Sequence, residues 1–315
     1  MRLLSVIRTV GPTFWGIASF LVLLAAAAGR MPLVLLTLLT GLLIFAALAY
    51  SLNFITGLTG YVSFGHVVFM AAGGYALGYG VGTLNWHPVA GVALGAFVGL
   101  ILALGIGAVT LRFRGVYFAI ASQVTAVAAF YIVLEVKELG GNQGIRLSVG
   151  FDPLAWFYTI WVVLAVEVGL TYWITHGRLG YGRRSIKTDE DAAKTLGINA
   201  AGVKLLLFAI SGLFAGAAGG VYYWQNSGIF PNEAFQLTFS LQMLAMIVIG
   251  GMGTLLGPLF GAVAVYLPSQ FFLTVLIGFQ FVIIGLVVIV IALFLPEGIV
   301  GILRKYVPEL RGLIE

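Results

Sequence analysis

The sequence predicts an all-α membrane protein, a polytopic helical bundle of about ten transmembrane or re-entrant helices. Three observations predict it. Hydrophobic residues make up 61% of the chain and charged residues only 9%, with a mean hydropathy of +1.09, which leaves too little polar surface for a soluble globule. Apolar runs of roughly 20 residues, the length that crosses a bilayer, recur with short links between them. Charged residues gather in a few of those links, above all in residues 178–204.

Taken in order, Arg2 and Arg8 precede an apolar run at 14–29. Its small residues, Ala25 to Gly29, also suit a signal peptide; read as a retained first span, it gives a topology that fits the charges. Residues 31–51 form the second span, with Arg30 in the turn between. Asn53-Phe-Ile-Thr-Gly57-Leu-Thr-Gly60-Tyr-Val-Ser63-Phe64-Gly65-His66 follows, then an apolar stretch at 69–82 containing Gly73, Gly74 and Gly78. Glycine at this density lets helices approach closely in lipid and permits a break or re-entrant bend. Residues 88–111 form a fourth span closed by Arg112 and Arg114, and Leu111-Arg-Phe-Arg-Gly115-Val-Tyr-Phe-Ala-Ile120 opens the fifth. Residues 154–176 make the sixth and 203–224 the seventh. Spans at 235–249 and 255–272 are separated by Gly250-Gly-Met-Gly253-Thr-Leu-Leu-Gly257-Pro258. A tenth, 277–295, ends at Leu295-Pro296-Glu297-Gly298.

The link 178–204 is the one long polar island. It holds Arg178, Arg183, Arg184, Lys187, Lys194 and Lys204, and three consecutive acids, Asp189, Glu190 and Asp191. Residues 189–196 read as a short helix, with acids in the first turn where the helix dipole favours them and Gly197 as the C-terminal cap. With the N-terminus in the cytoplasm, the spans leave only Arg30, Lys137 and Arg146 of the sixteen Lys and Arg outside. Both termini and the polar island are therefore expected on the cytoplasmic side. The basic pI reflects those loops and gives no reason to expect nucleic acid.

The chain has no cysteine, so disulfides and thiolate chemistry are excluded. It has no Gly-x-x-x-x-Gly-Lys-[Ser/Thr], and His66, His87 and His176 lack a metal-ligand spacing. The chain is expected to have no catalytic residues and to bind no cofactor or metal, so energy must come from another subunit or from an ion gradient. Glu167 is the acid placed inside a span. An intramembrane carboxylate is costly and is a functional candidate by default, facing a cavity, a helix neighbour or a substrate ammonium or amide. Ser63, His66 and Gln123 are the other candidates for a solute pathway, and His66 can equally satisfy a neighbouring backbone carbonyl.

These blocks carry a resemblance. The Asn53–His66 pattern closely resembles the first signature of the Liv-type branched-chain amino acid ABC permeases, Asn-x-x-x-Gly-x-x-Gly-Tyr-x-Ser-x-Gly-His. The 111–120 segment is similar to the second signature. The breaks at 250–258 and 295–298 resemble the family's too. Asp191-Ala192-Ala193-x-x-x-Gly197 is similar to the Glu-Ala-Ala-x-x-x-Gly coupling loop of ABC importer permeases, with Asp in place of Glu. Ser122-Gln123 and Gly140-Gly-Asn-Gln-Gly144 look more like the urea-transport branch.

The resemblance implies a single permease domain over 1–315 in a bacterial or archaeal plasma membrane. It implies a second permease subunit, paralogous or identical, an extracytoplasmic solute-binding protein, and two cytoplasmic ATP-binding subunits that carry ATP and Mg. Asp189, Glu190, Asp191, Ala192, Ala193 and Gly197 would couple the spans to those ATPases. Hydrophobic or branched-chain amino acids are the expected cargo, with urea or a short amide as the alternative. An ion-coupled transporter or channel working alone is the reading of another class, and a membrane anchor or assembly subunit a third.

Overall fold

Lipid offers a backbone N–H or C=O no water, so a segment that crosses it must be helical and any irregular stretch must be buried against protein. The computed structural model describes residues 12–275, 285 and 298–301. Its helices are α1 (Pro12–Ala28), α2 (Leu33–Leu52), α3 (Val67–Gly82), α4 (Pro88–Thr110), α5 (Val116–Glu135), α6 (Pro153–His176), α7 (Arg178–Thr188), α8 (Glu190–Thr195), α9 (Ala200–Gln225), α10 (Pro231–Ala234), α11 (Leu237–Gly250) and α12 (Gly257–Val275). A π-helical turn, Asn53–Gly57, extends α2. Two short strands, β1 (Ile145–Arg146) and β2 (Gly228–Ile229), pair antiparallel with Ile145 opposite Ile229, tying the α5–α6 loop to the α9–α10 loop.

Among the described residues, six helices are long and apolar enough to cross a membrane: Leu33–Gly57, Pro88–Thr110, Val116–Glu135, Pro153–His176, Ala200–Gln225 and Pro231–Gly250. The larger count expected from sequence is met in part. α1 and α3, with 17 and 16 residues, fall short of the roughly 20 that span. α3 is short because residues 60–66 before it leave the helix. Its apolar character remains, so it packs as a buried element rather than a full span. The segment at 277–295 lies outside the described residues.

The bundle is organised around α9, which packs against α2, α3, α4 and α6. α4 meets it with Gly91, Gly95, Gly99, Ala103 and Gly107, one stripe at intervals of four. The approach is so close that a Cβ on Gly216 of α9 would overlap the Gly95 carbonyl oxygen, and one on Gly73 of α3 the Gly216 carbonyl. Small residues do this work in lipid because apolar side chains gain little by leaving apolar tails. The outer faces of α4 and α5 carry exposed Phe97, Ile101, Ile120, Val124 and Tyr131, as a lipid-facing surface requires.

This packing makes a prediction. Gly216→Val should lower stability by at least about 1–3 kcal/mol, the cost of forcing methyl groups into a filled contact. Gly105→Val, where a Cβ meets nothing within 4 Å, should leave the unfolding midpoint in detergent unchanged. Equal midpoints for the two variants would contradict the three-helix contact.

Candidate functional site

The polar island folds as two helices at a corner. α8 begins at Asp189, whose side chain accepts hydrogen bonds from the Asp191 and Ala192 N–H groups at 2.9 and 3.1 Å. It ends in a Schellman motif: Ile198 N–H donates to the Ala193 carbonyl and Gly197 N–H to the Lys194 carbonyl, with Gly197 at φ +80°. A glycine is required at that φ, which gives the Gly197 of the sequence pattern a backbone reason. Ala193 is buried with Ile186 and Ala200, seating α8 on α7 and on the start of α9. Ala192 is exposed, and so is Leu196, at 76%.

The acids of α8 reach back into the membrane domain. The Glu190 carboxylate accepts a hydrogen bond from the Tyr61 hydroxyl. It also accepts from Lys204 Nζ at 2.9 Å and forms an ion pair with Lys194 Nζ at 3.0 Å. The Lys204 side chain is only 3% exposed. Its ammonium also donates to the Tyr61 hydroxyl at 2.8 Å and lies 4.2 Å from that ring's centre. Burial by itself would raise the Glu190 pKa. The hydrogen bonds from Tyr61, Lys204 and Lys194 outweigh it and hold the group at about 2. Asp191 takes both arms of the Arg114 guanidinium, at 2.8 and 2.9 Å, which holds its carboxyl below the usual range. One six-residue helix thus grips the break after α2 through Tyr61, the α4–α5 link through Arg114, and α9 through Lys204.

A second set of contacts joins the irregular segments. Lys187 of α7 donates to the Gly57 carbonyl at 2.8 Å, in the π-turn. Asn53 accepts from Gly253 N–H at 2.8 Å and donates to the Thr254 carbonyl at 3.4 Å. A Cβ on Gly57 would overlap the Asn53 side-chain oxygen, and one on Gly298 would come within 2.7 Å of the Gly251 nitrogen. The breaks at 53–57, 250–257 and 298 therefore meet in one place. Ser122 Oγ accepts from the Phe64 and Gly65 N–H groups at 3.0 and 3.3 Å, so this residue braces the third irregular stretch.

The structure thus brings Asp189, Glu190, Asp191, Ala192, Ala193 and Gly197 together on one capped helix. The pathway candidates are less unified. Ser63 and His66 are buried in the 60–66 break, where His66 Nε2 lies 2.9 Å from Ser51 Oγ and its ring packs edge-on to Phe69. Gln123 sits on α5 beside Ser122. Glu167 is fully buried on α6, which packs against α2 and α9. Among the described residues, Ser63 Oγ, Gln123 Oε1 and both Glu167 oxygens have no hydrogen-bond partner, and no ion pair or hydrogen bond joins Glu167 to the others. Sequence reasoning missed Tyr61, Arg114, Lys187 and Lys204 as site residues. For three of them the signal was position, since Tyr61, Arg114 and Lys204 are polar side chains beside the ends of apolar runs; Lys187 lies within the polar island and carried no such signal.

The family model described as "Branched-chain amino acid transport system / permease component" matches residues 34–293. The chain is 26% identical over 306 residues to the high-affinity branched-chain amino acid transport system permease protein LivM of Salmonella typhimurium, covering 85% of this chain and 70% of that protein. It is 25% identical over 195 residues to the ribose import permease protein RbsC of Escherichia coli K12, covering 55% and 60%. It is 31% identical over 143 residues to the high-affinity branched-chain amino acid transport system permease protein BraD of Pseudomonas aeruginosa, covering 44% and 45%. No solved structure matches it.

The clamp predicts a pH dependence. Glu190 has its pKa lowered in the folded protein, from an ordinary 4.5 to about 2, so its contribution to stability is full above pH 4.5 and is lost as pH falls towards 2. The thermal midpoint in detergent should drop across that interval. Glu190→Ala should cost about 3 kcal/mol near neutral pH, because it strips the buried Lys204 of its counter-charge, and its midpoint should change less between pH 4.5 and 2. A variant with the parent's profile would show that the clamp is not what holds α8.

Proposed function

This chain belongs to the branched-chain amino acid transport permease family, and from that premise we propose that it is the membrane-spanning subunit of an ATP-driven importer in a prokaryotic plasma membrane. Its cargo is a hydrophobic or branched-chain amino acid, as the names of LivM and BraD suggest. Its partners are a second permease subunit, two cytoplasmic ATP-binding subunits carrying ATP and Mg, and an extracytoplasmic solute-binding protein. The chain itself hydrolyses nothing. The polar island lies on the cytoplasmic side, as do both termini.

The observation that carries this reading is the clamp. A coupling element must be exposed to a partner on one face and fixed to moving spans on the other. α8 has both: Ala192, Thr195 and Leu196 face outward, while Glu190 and Asp191 are tied to Tyr61, Lys204 and Arg114. Closure of the ATPases displaces α8 as a unit, and the charge-assisted bonds pass that displacement to α9, to the foot of α5 and to the interlocked breaks. Contacts unequal in the two states are what convert ATP binding into alternating access. A channel or ion-coupled transporter would have no use for such an exposed, clamped helix. Urea or a short amide remains the second cargo, favoured by the buried, unpartnered Gln123 Oε1.

Leu196→Asp tests the reading. In proteoliposomes holding the assembled transporter, ATP-dependent leucine uptake should fall at least about tenfold, the loss of roughly 1.4 kcal/mol of coupling, while insertion and the thermal midpoint stay unchanged. Uptake of leucine by the purified chain without ATPases would overturn it.

A further inference from the structure

A second cavity, of about 490 Å³, opens between the end of α4 and the α8–α9 corner. Its charged lining is Arg112, Arg114, Lys194 and Lys204 against Glu190. Three of those bases are already committed: Lys194 and Lys204 to Glu190, Arg114 to Asp191. Arg112, two residues past the end of α4, is exposed, donates through Nε to the Ala108 carbonyl in the last turn of that helix at 3.2 Å, and has no ion pair among the described residues. The cleft therefore holds an excess of positive charge at the end of a membrane-length helix. Its apolar walls are Ala108, Leu111 and Leu205. The Ala108 that Arg112 touches begins a stripe on α4 that continues at one-turn spacing through Leu104 and Ile101, both exposed large apolar side chains.

We propose that this cleft binds the phosphate headgroup of an anionic phospholipid, with Arg112 as the principal ligand and an acyl chain lying along Ala108, Leu104 and Ile101. Charge complementarity selects an anion, since basic pockets beside spans attract anionic headgroups at the membrane surface. The apolar stripe rising from Ala108 selects a lipid over a soluble anion or an acidic protein surface, neither of which has anything to lay against it. The bound phosphate lies beside Arg114 and Lys194, so the lipid adds a negative group to the clamp that fixes α8. Only the assignment to the cytoplasmic leaflet rests on the importer reading.

The test uses the full chain purified in detergent with equal phosphatidylglycerol and phosphatidylcholine, and bound lipid counted by native mass spectrometry. The parent protein should retain phosphatidylglycerol selectively. Arg112→Gln should cut that selectivity about fivefold, the worth of one basic residue at a charged surface. Arg112→Lys, which keeps the charge, should preserve most of it, and Arg30→Gln, in the α1–α2 turn, should change nothing. Equal retention of the two lipids by the parent, or the same loss in Arg30→Gln, would overturn the proposal. Displacement by millimolar inorganic phosphate would mark a free-anion pocket, and loss of ATP-binding partners from Arg112→Gln with lipid retained would mark a protein contact; either overturns it. Labelling of Arg112→Cys from outside the cell would sink the proposed topology while leaving the lipid selectivity intact, so the two failures can be told apart.

Discussion

The ammonium of Lys204 is the interaction on which the rest of this structure depends. It sits in the second turn of α9 with almost none of its side chain in water, where a lone charge costs several kcal/mol. Glu190 and Tyr61 remove that cost, and in doing so they fix α8 against the bundle. Because α9 packs on α2, α3, α4 and α6, a helix of six residues is anchored to the element that touches most of the protein. The buried charge therefore sets the geometry of the polar island more firmly than the surface pairs Lys194–Asp191 and Arg114–Asp191, which water and salt weaken.

A related constraint shapes the membrane interior. The stretches at 53–57, 60–66 and 251–256 leave regular α-helix, and lipid cannot satisfy the backbone groups this frees. They satisfy each other instead: the Asn53 side chain does for Gly253 and Thr254 what a helix would have done, and Lys187 takes the Gly57 carbonyl. Ser122 does the same for Phe64 and Gly65. These are single hydrogen bonds rather than ladders, and such joints rearrange at lower cost than helix interiors. The places where the backbone is held by side chains are thus the places where the bundle can bend.

What was legible in the sequence follows from the range of the forces involved. Composition and apolar run length gave the spans, since both are local consequences of lipid as solvent. Gly197 was legible as a cap because capping is read within a few residues, whereas Asp189, expected as an acid of the first turn, is the N-cap one residue before it. α7 was not foreseen as a helix: Gly180, Gly182 and its run of bases masked a sparse apolar face of Leu179 and Ile186, which docks on the bundle and on Ala193 and Ala200 while Lys187 reaches the distant Gly57. The clamp itself was invisible, because Tyr61 and Glu190 are 129 positions apart and no spacing rule connects them. The acids read as dipole partners at a helix start are that, and they are also ligands of the chain's own bases.

The same structure separates parts that cannot slide from one with room beside its far half. α3, α4 and α9 touch through glycine backbones, a contact with no side chain to yield. The second half of α5 borders an apolar cavity of about 690 Å³ lined by Ala72, Val98, Leu102 and Ala129 among others, while its first half is packed, with Phe118 buried against Tyr61 and Phe208 and the Ser122 backbone against Gly65. Its foot is the link Arg112 to Gly115, where Gly115 has φ +55° and Arg114 is held by Asp191 of α8. Arg114 thus ties α8 to the packed end of α5, beside the Gly115 turn, and the cavity lies along the far half of the same helix. The clamp thus joins the polar island to two mechanically different partners: through Lys204 to the rigid trio, and through Arg114 to the one long helix with room beside it.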